Sequence, residues 1–407
     1  MDGNDRSITG FTMLAHGIFH TYELSIPLFI VIWLDVFDVS PFVLGLVVSV
    51  GYGLIGLGAI PAGVLADTYG SRQLIVASIV GMGGGFFLLA LAPNVLVVGI
   101  AIVVWGAAAS IYHPAGLSLI SRGAKERGTV FAYHGVGGNV GTALGPLLTA
   151  LLLLVFDWRL VVVALTVPAI VVVVLGARIE FDETVTADGG ESTPPTLRSL
   201  LEDSRLLFST GFLLAFVAIL LYGTYYRGML TFMPDVLADL PLFEPYVVFG
   251  FEAEPAQYVY TGILLLGILG QYAGGRVTDH VRTEYAFVTV LLALGALALV
   301  FVPSASWGLV PFLLVCAALG FFLYATAPIY QVVIAEQVTD DVHGLSYGYA
   351  YLGMFGVGAA GAAIAGGVLT YATSAVLLAV LSGIAFLAGA AVVVLLVIDG
   401  RDRNGNV

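Results

Sequence analysis

The sequence predicts an all-α integral membrane protein: twelve transmembrane helices in two pseudo-symmetric six-helix halves, with both termini cytoplasmic. Composition is the first sign. The chain of 407 residues is 59% hydrophobic, with a mean hydropathy of +1.03. Twelve spans of roughly 20 residues need about 240 largely apolar positions, close to what this composition supplies. Charge placement is the second sign. Of the 14 Lys and Arg residues, all but two fall in connections on one face once the apolar runs are read as spans. Arg159 takes the opposite face and Arg227 lies inside a span. Basic loops stay in the cytoplasm, which orients the chain. A duplicated loop pattern is the third sign, its two copies 212 positions apart.

The elements follow in order. The first span, 10–34, is too long for a signal-peptide core, and its polar leader holds one basic residue, Arg6. It is expected to be retained as a helix. Asp35 and Asp38 close it on the outer face. Spans 42–66 and 73–92 flank a cytoplasmic loop that ends at Arg72, and spans 95–120 and 129–154 flank the basic run Arg122, Lys125 and Arg127. Asp157 and Arg159 mark the outer turn into 157–177. The stretch Arg178–Arg205 then holds Gly189-Gly190, Pro194-Pro195 and seven acids. Such a composition cannot build a packed core. It is read as a cytoplasmic linker, 178–205, between an N-terminal half, 1–177, and a C-terminal half, 206–407. The second set of spans is expected at 206–233, 257–278, 285–303, 307–334, 345–371 and 374–398. Asp235, Asp239, Glu244, Glu252 and Glu254, between the first two of these, belong outside. The single Cys316 excludes an intrachain disulfide, and 51 glycines suit helices packed backbone to backbone in lipid.

Net charge is −13, and Lys125 is the only lysine. An acidic balance of this size fits a salt-adapted prokaryote, in which screening makes dense like charge tolerable; a merely acidic membrane protein is the plainer reading. Nucleic acid is not an expected partner, because no basic patch exists outside the short cytoplasmic loops.

The duplicated pattern reads Gly63-Val64-Leu65-Ala66-Asp67-Thr68-Tyr69-Gly70-Ser71-Arg72 in the first half and Gly275-Arg276-Val277-Thr278-Asp279-His280-Val281-Arg282 in the second. Duplication of a six-helix unit is the build of secondary transporters, with the site at the repeat interface near the midplane. The first copy resembles the loop 2–3 signature of the major facilitator superfamily, G-x-L-A-D-x-x-G-x-[KR]. A narrower resemblance, to the fosmidomycin-resistance branch, lies in His16, Tyr22 and Pro27 of span 1, His113-Pro114 of span 4, and the run Val136–Leu148 of span 5. It implies a proton-coupled exporter. The chain also departs from the branch. Phe19-His20 stands where Asn-Asp is usual, so a proton carrier is not transferred there; Ile102 stands about where many drug exporters have an intramembrane Arg; and Leu147 to Ala150 lack the closing glycines of the antiporter signature that Gly141, Gly145 and Pro146 begin.

Charges at bilayer depth are costly and face a cavity or a partner. Glu23 is the one acid read as well inside a span, and Arg227 the one base. His16, His20 and Glu23 are spaced i, i+4, i+7 and so share one helix stripe; Thr224, Arg227 and Thr231 form another. Two readings stand: a structural ion pair, or a cavity in which Glu23 takes a proton, His16 or His20 assists, and Arg227 holds an anionic solute. His113 either lines that cavity or bonds a carbonyl freed by Pro114. Tyr22, Asn139, Tyr324, Gln331, Tyr347 and Tyr351 are further candidate cavity contacts, though tyrosines also mark membrane interfaces. His134 is read as helix packing. Asp67, Gly63, Gly70 and Arg72, with Asp279, Arg276 and Arg282, are read as a cytoplasmic gate whose contacts bias alternating access.

The function read from this is secondary active transport of a small organic, anionic or neutral, solute across the cytoplasmic membrane by alternating access, coupled to protons and directed outward. An importer or uniporter of the same fold is the nearest alternative, and a non-transporting sensor a more distant one. An ATP-driven pump is disfavoured because no Gly-x4-Gly-Lys-[Ser/Thr] run exists. A monomer without metal or cofactor is expected, with lipid, solute and protons as its partners; enzymatic activity is not.

Overall fold

The computed structural model describes residues 1–185, 204, 207–248, 250–338 and 343–405. Residues 186–203, which make up most of the expected linker and include Arg198, lie outside the described residues, as does Arg205. The chain forms two compact units, Met1–Pro194 with Pro245–Thr261, and Pro195–Glu244 with Gly262–Val407.

Unit 1 is built on α1, Gly3–Val36. This helix begins two turns before the expected position. The Asp2 side chain accepts from the Asp5 amide at 2.9 Å and starts the helix there. The hydroxyls of Thr9 and Thr12 bond back to the carbonyls of Asp5 and Ile8, which hides the polarity of the first turns. The expected second span, 42–66, is instead two helices, α2 (Pro41–Leu57) and α3 (Ala59–Tyr69), parted at Gly58. Pro61 has no N–H to give the Leu57 carbonyl, and the Gly58 amide closes α2 by bonding Leu54 at 2.8 Å. Then come α4 (Ser71–Ala90), α5 (Val95–Gly123), α6 (Arg127–Leu153) and α7 (Trp158–Arg178). α1 packs mainly on α6, and α4 on α5 and α7.

Unit 2 opens with α8 (Thr210–Thr231) and the short α9 (Met233–Ala238). The fold is all-α apart from a short hairpin between α9 and the next long helix. Tyr246–Val248 and Phe251–Ala253 pair as antiparallel strands β1 and β2, a hairpin that belongs to unit 1. The aromatic and β-branched residues Tyr246, Val247, Val248 and Phe251 suit a strand, and Gly250 takes φ +87°, the left-handed conformation such a tight turn needs. α10 (Pro255–Thr278), α11 (Thr283–Ala305) and α12 (Leu309–Glu336) follow. Next are α13 (His343–Tyr351), a π-helical segment (Leu352–Val357), α14 (Ala360–Tyr371) and α15 (Ser374–Gly405). α8 packs on α15 and α14, and α11 on α15 and α12.

Among the described residues, ten helices are long and apolar enough to cross a membrane. They occupy ten of the twelve expected positions. The other two positions hold α2, of 17 residues, and α10, of 24.

Candidate functional site

Unit 1 gathers its membrane-depth polar groups around one stripe of α1. Glycines of α6 allow this. A Cβ at Gly138 would lie 2.5 Å from Cε1 of His16, and one at Gly141 would strike the backbone of Gly17. The span-5 glycine run is therefore what lets α6 lie directly on α1. The approach stacks the His16 ring on that of His134, with centroids 4.0 Å apart and planes 11° apart. The ring of His113, from α5, meets His16 edge-on at 5.2 Å. His134, expected to serve helix packing, stacks its ring on His16 and offers its backbone carbonyl to the same residue.

Three short contacts tie the stripe into a chain. Nδ1 of His16 lies 2.8 Å from the carbonyl oxygen of His134, Nε2 of His16 lies 3.1 Å from Nε2 of His20, and Nδ1 of His20 lies 2.7 Å from Oε2 of Glu23. A carbonyl only accepts, so His16 must donate from Nδ1. Two neutral imidazoles bring two N–H protons, and three contacts need three. The third resides on Glu23 or makes one imidazole cationic. In this geometry Glu23, His20 and His16 together are one proton above the form with an ionised Glu23 and two neutral rings. The loaded chain is electrically neutral, the less costly state at membrane depth. Glu23 is 2% exposed and His20 24%, so His20 is the more open end of the pair.

Nitrogens of His16, His20 and His113 lie within 4.8 Å of one another, a spacing at which a metal ion could also sit. The facing Nε2 atoms of His16 and His20 are also at hydrogen-bond distance from each other, 3.1 Å. Tyr22 donates to the Leu165 carbonyl at 3.0 Å and packs on Phe86. Asn139 is half-buried on α6, next to Gly138.

Unit 2 places Arg227, 2% exposed, among aromatic rings. Its guanidinium lies 5.4 Å from the centroid of Tyr226 and 5.6 Å from that of Phe355, the range of cation–π attraction. The Tyr226 and Tyr324 hydroxyls are 3.4 Å apart, and Tyr351 packs on Phe355 at 5.3 Å. Thr224 bonds the Leu220 carbonyl of its own helix, while Gln331 and Tyr347 are exposed. The sequence reading missed Phe355. It lies in the π-helical segment, four residues after Tyr351, and as an apolar ring it carries no polar group to mark it as a cavity contact. The signal that could have found it is the glycine pattern. A Cβ at Gly223 would meet the Met354 backbone, and one at Gly361 that of Thr224, so α8 and this segment touch without side chains between them.

The expected gate residues have partners inside their own units. Gly70, at φ +87°, turns the chain between α3 and α4. Glu183 accepts from the amides of Ser71 and Arg72 at 2.8 and 3.3 Å, a carboxylate at the N-terminus of α4. The Arg72 side chain donates to the Gly176 carbonyl at 3.0 and 2.7 Å and lies over Phe181. Asp67 lies in α3, as does Gly63, whose surroundings are open; the Asp67 side chain is outside the described residues. Asp279 is exposed in the turn after α10. Arg276 lies over Tyr272, and Arg282 pairs with Glu284 at 3.3 Å. Sequence reading also missed Asp5, which is fully buried and accepts from the amides of Lys125 and Glu126 at 2.9 and 3.0 Å, just before α6. Asn4 bonds Gly123 and Asp182 beside it. The Asp2 carboxyl sits below the usual range, held there by the Asp5 amide and then by Lys125. Burial, and next the charge of Glu252, push Glu254 up.

Unit 1 thus holds a chain of two histidines and a carboxylate, and unit 2 an arginine among aromatic rings. The chain belongs to the Major Facilitator Superfamily, whose family model matches residues 12–353. It is 27% identical to a fosmidomycin resistance protein of Escherichia coli over 69% of this chain and 66% of that protein. It is 35% identical to a multidrug resistance protein B homologue of Mycobacterium tuberculosis, over 27% of this chain and about a fifth (21%) of that protein's length. A Na(+), Li(+), K(+)/H(+) antiporter of Planococcus maritimus is 32% identical over 31% of each. Among solved structures, an inward-facing bacterial homologue of the human lysosomal transporter Spinster matches at TM-score 0.73, with 15% identity and 97% of both chains covered. The nucleoside transporter NupG matches at 0.74, with 11% identity and 96% and 99% covered. These two likenesses carry the fold alone.

Proposed function

We propose that this protein is a proton-coupled exporter of a small organic anion in the cytoplasmic membrane, with twelve spans and both termini inside. The proton is carried on the Glu23–His20–His16 chain, and Arg227 with its aromatic neighbours binds the solute. The observation that carries the reading is the proton count of three contacts shared among one carboxyl and two imidazoles. Removing the third proton leaves one contact without its hydrogen, so loading and unloading change the geometry of α1 at this point. That is what coupling requires: a proton that favours one conformation over the other. The fosmidomycin-resistance and antiporter relatives support outward, ion-coupled movement. Arg227 remains cationic at ordinary pH and presents a planar fork to an oxyanion.

The test is flux in proteoliposomes with an imposed proton gradient, run against a set of organic anions. Glu23→Gln fixes the loaded state. It is expected to abolish gradient-driven accumulation while gradient-free solute exchange continues. Accumulation by Glu23→Gln against the solute gradient would sink the proton assignment.

A further inference from the structure

Pro27 interrupts α1 four residues after Glu23. Without an N–H, Pro27 leaves the Glu23 carbonyl without its helical donor. The Tyr52 hydroxyl, from α2, donates to that carbonyl at 3.1 Å. The next carbonyl, of Leu24, accepts from the Tyr260 hydroxyl of α10, also at 3.1 Å. Tyr260 belongs to the part of α10 that forms unit 1, and both tyrosines are buried, at 1% and 0% exposure. Neighbouring residues are held as well. Tyr22 donates to Leu165 of α7, and Ser25 shares a 2.8 Å hydrogen bond with Thr149 of α6. Four consecutive residues, 22–25, are thus fastened to four different helices at the place where α1 has lost a backbone bond.

Tyr52 and Tyr260 are 208 positions apart, close to the 212 that separate the duplicated aspartates. They lie within about one helical turn of corresponding places in the two halves, yet both bond consecutive carbonyls of α1, Tyr52 the one that Pro27 deprives of its donor and Tyr260 the next. A buried carbonyl without a donor is costly, and a phenol hydroxyl is the only donor on a tyrosine side chain. A hydroxyl also releases more readily than a backbone amide fixed in a helix, since its side chain can turn away as the neighbouring helix shifts.

We infer that Tyr52 and Tyr260 are positioning residues for Glu23. The Tyr52 hydroxyl stands in for the missing Pro27 amide at the Glu23 carbonyl, the Tyr260 hydroxyl braces the next carbonyl, of Leu24, and together they keep the Glu23 carboxyl on His20. The inference rests on the proton reading of Glu23 proposed above.

The test uses the intact transporter. Tyr52→Phe and Tyr260→Phe remove one hydroxyl each and keep the rings. Each is expected to slow proton-driven accumulation by roughly three- to tenfold, the loss of one buried hydrogen bond, while gradient-free exchange stays near wild type. A loss of packing would lower both. The decisive comparison places Tyr52→Phe in a Pro27→Ala background, where the residue 27 amide can serve the Glu23 carbonyl. There Tyr52→Phe is expected to lose its effect relative to its own parent, in accumulation and in the thermal unfolding midpoint in detergent. The unfolding midpoint reads the cycle even where Pro27→Ala transports poorly. Equal effects of Tyr52→Phe in both backgrounds, or none in either, overturn the inference. If Glu23→Gln still accumulates solute, the proton reading falls instead, and the unfolding cycle separately decides whether the hydroxyls hold the break.

Discussion

At the residue scale, the proposed proton carrier comes down to three side chains, His16, His20 and Glu23. His20 is its hinge, since each ring nitrogen meets a different partner. His20→Gln keeps a polar side chain but cannot become cationic, and is expected to behave as Glu23→Gln does: no accumulation under a proton gradient, exchange retained. His134 contributes to the chain through its backbone carbonyl. His134→Phe keeps that carbonyl and the stacking on His16, so proteoliposome accumulation should stay within a few fold of wild type. Phe355→Leu tests the other unit. A cation–π contact worth about 0.5–1 kcal/mol should raise the KM for an anionic solute roughly two- to fivefold when lost, with little change in maximal rate. The stripe of His16, His20 and Glu23 was legible in the sequence because helical spacing alone puts the three on one face. His113 and His134 come from two other helices, and no periodicity within α1 reports which rings will meet it. Phe355 was hidden for a different reason: it follows Tyr351 at helical spacing, but an apolar ring has no polar group to mark it as a cavity contact.

At the element scale, the helices were mostly legible, and their ends were less so. Among the described residues, apolar length found ten of the twelve expected spans; at the second, Pro61 and Gly58 divide a continuous apolar run, and the eighth position holds α10, which is not one of the ten. α1 starts at Gly3 because carboxylates and threonines satisfy its first turns locally, a pairing that average hydropathy does not register. The carboxylate of Asp5 holds the start of α6 in the same way. Asp5→Ala should cost about 0.5–2 kcal/mol, the usual loss on removing such a cap, read as a lower unfolding midpoint in detergent. The Asp2 carboxyl adds a pH term of known sign. Its folded value lies below the unfolded 3.8, so its contribution is present above that pH and is lost as pH falls through the folded value. Asp2→Asn should flatten the acid limb of the unfolding midpoint measured against pH.

At the scale of the whole molecule, charge asymmetry is the basis of the proposed orientation. After Cys316→Ala, cysteines introduced at Lys125 and Ala238 should react with an impermeant maleimide from opposite sides of intact cells; labelling of both from outside would reverse the topology. A net charge of −13 further predicts that raising KCl lifts the unfolding midpoint, as screening relieves self-repulsion. A different consequence comes from the ties of Asn4 and Asp5 to residues 123–126 and 182. The ribosome makes the first helix long before it makes the residues that fasten it. During synthesis, the leading end of α1 therefore has no anchor until α5 has been inserted, and its set of ties is complete only after α7. Orientation is thus open to revision while the first half is being built and is fixed late. Stalled chains ending before residue 120 should leave a cysteine at Asn4 reactive from the cytoplasm, and chains extended past residue 185 should bury it.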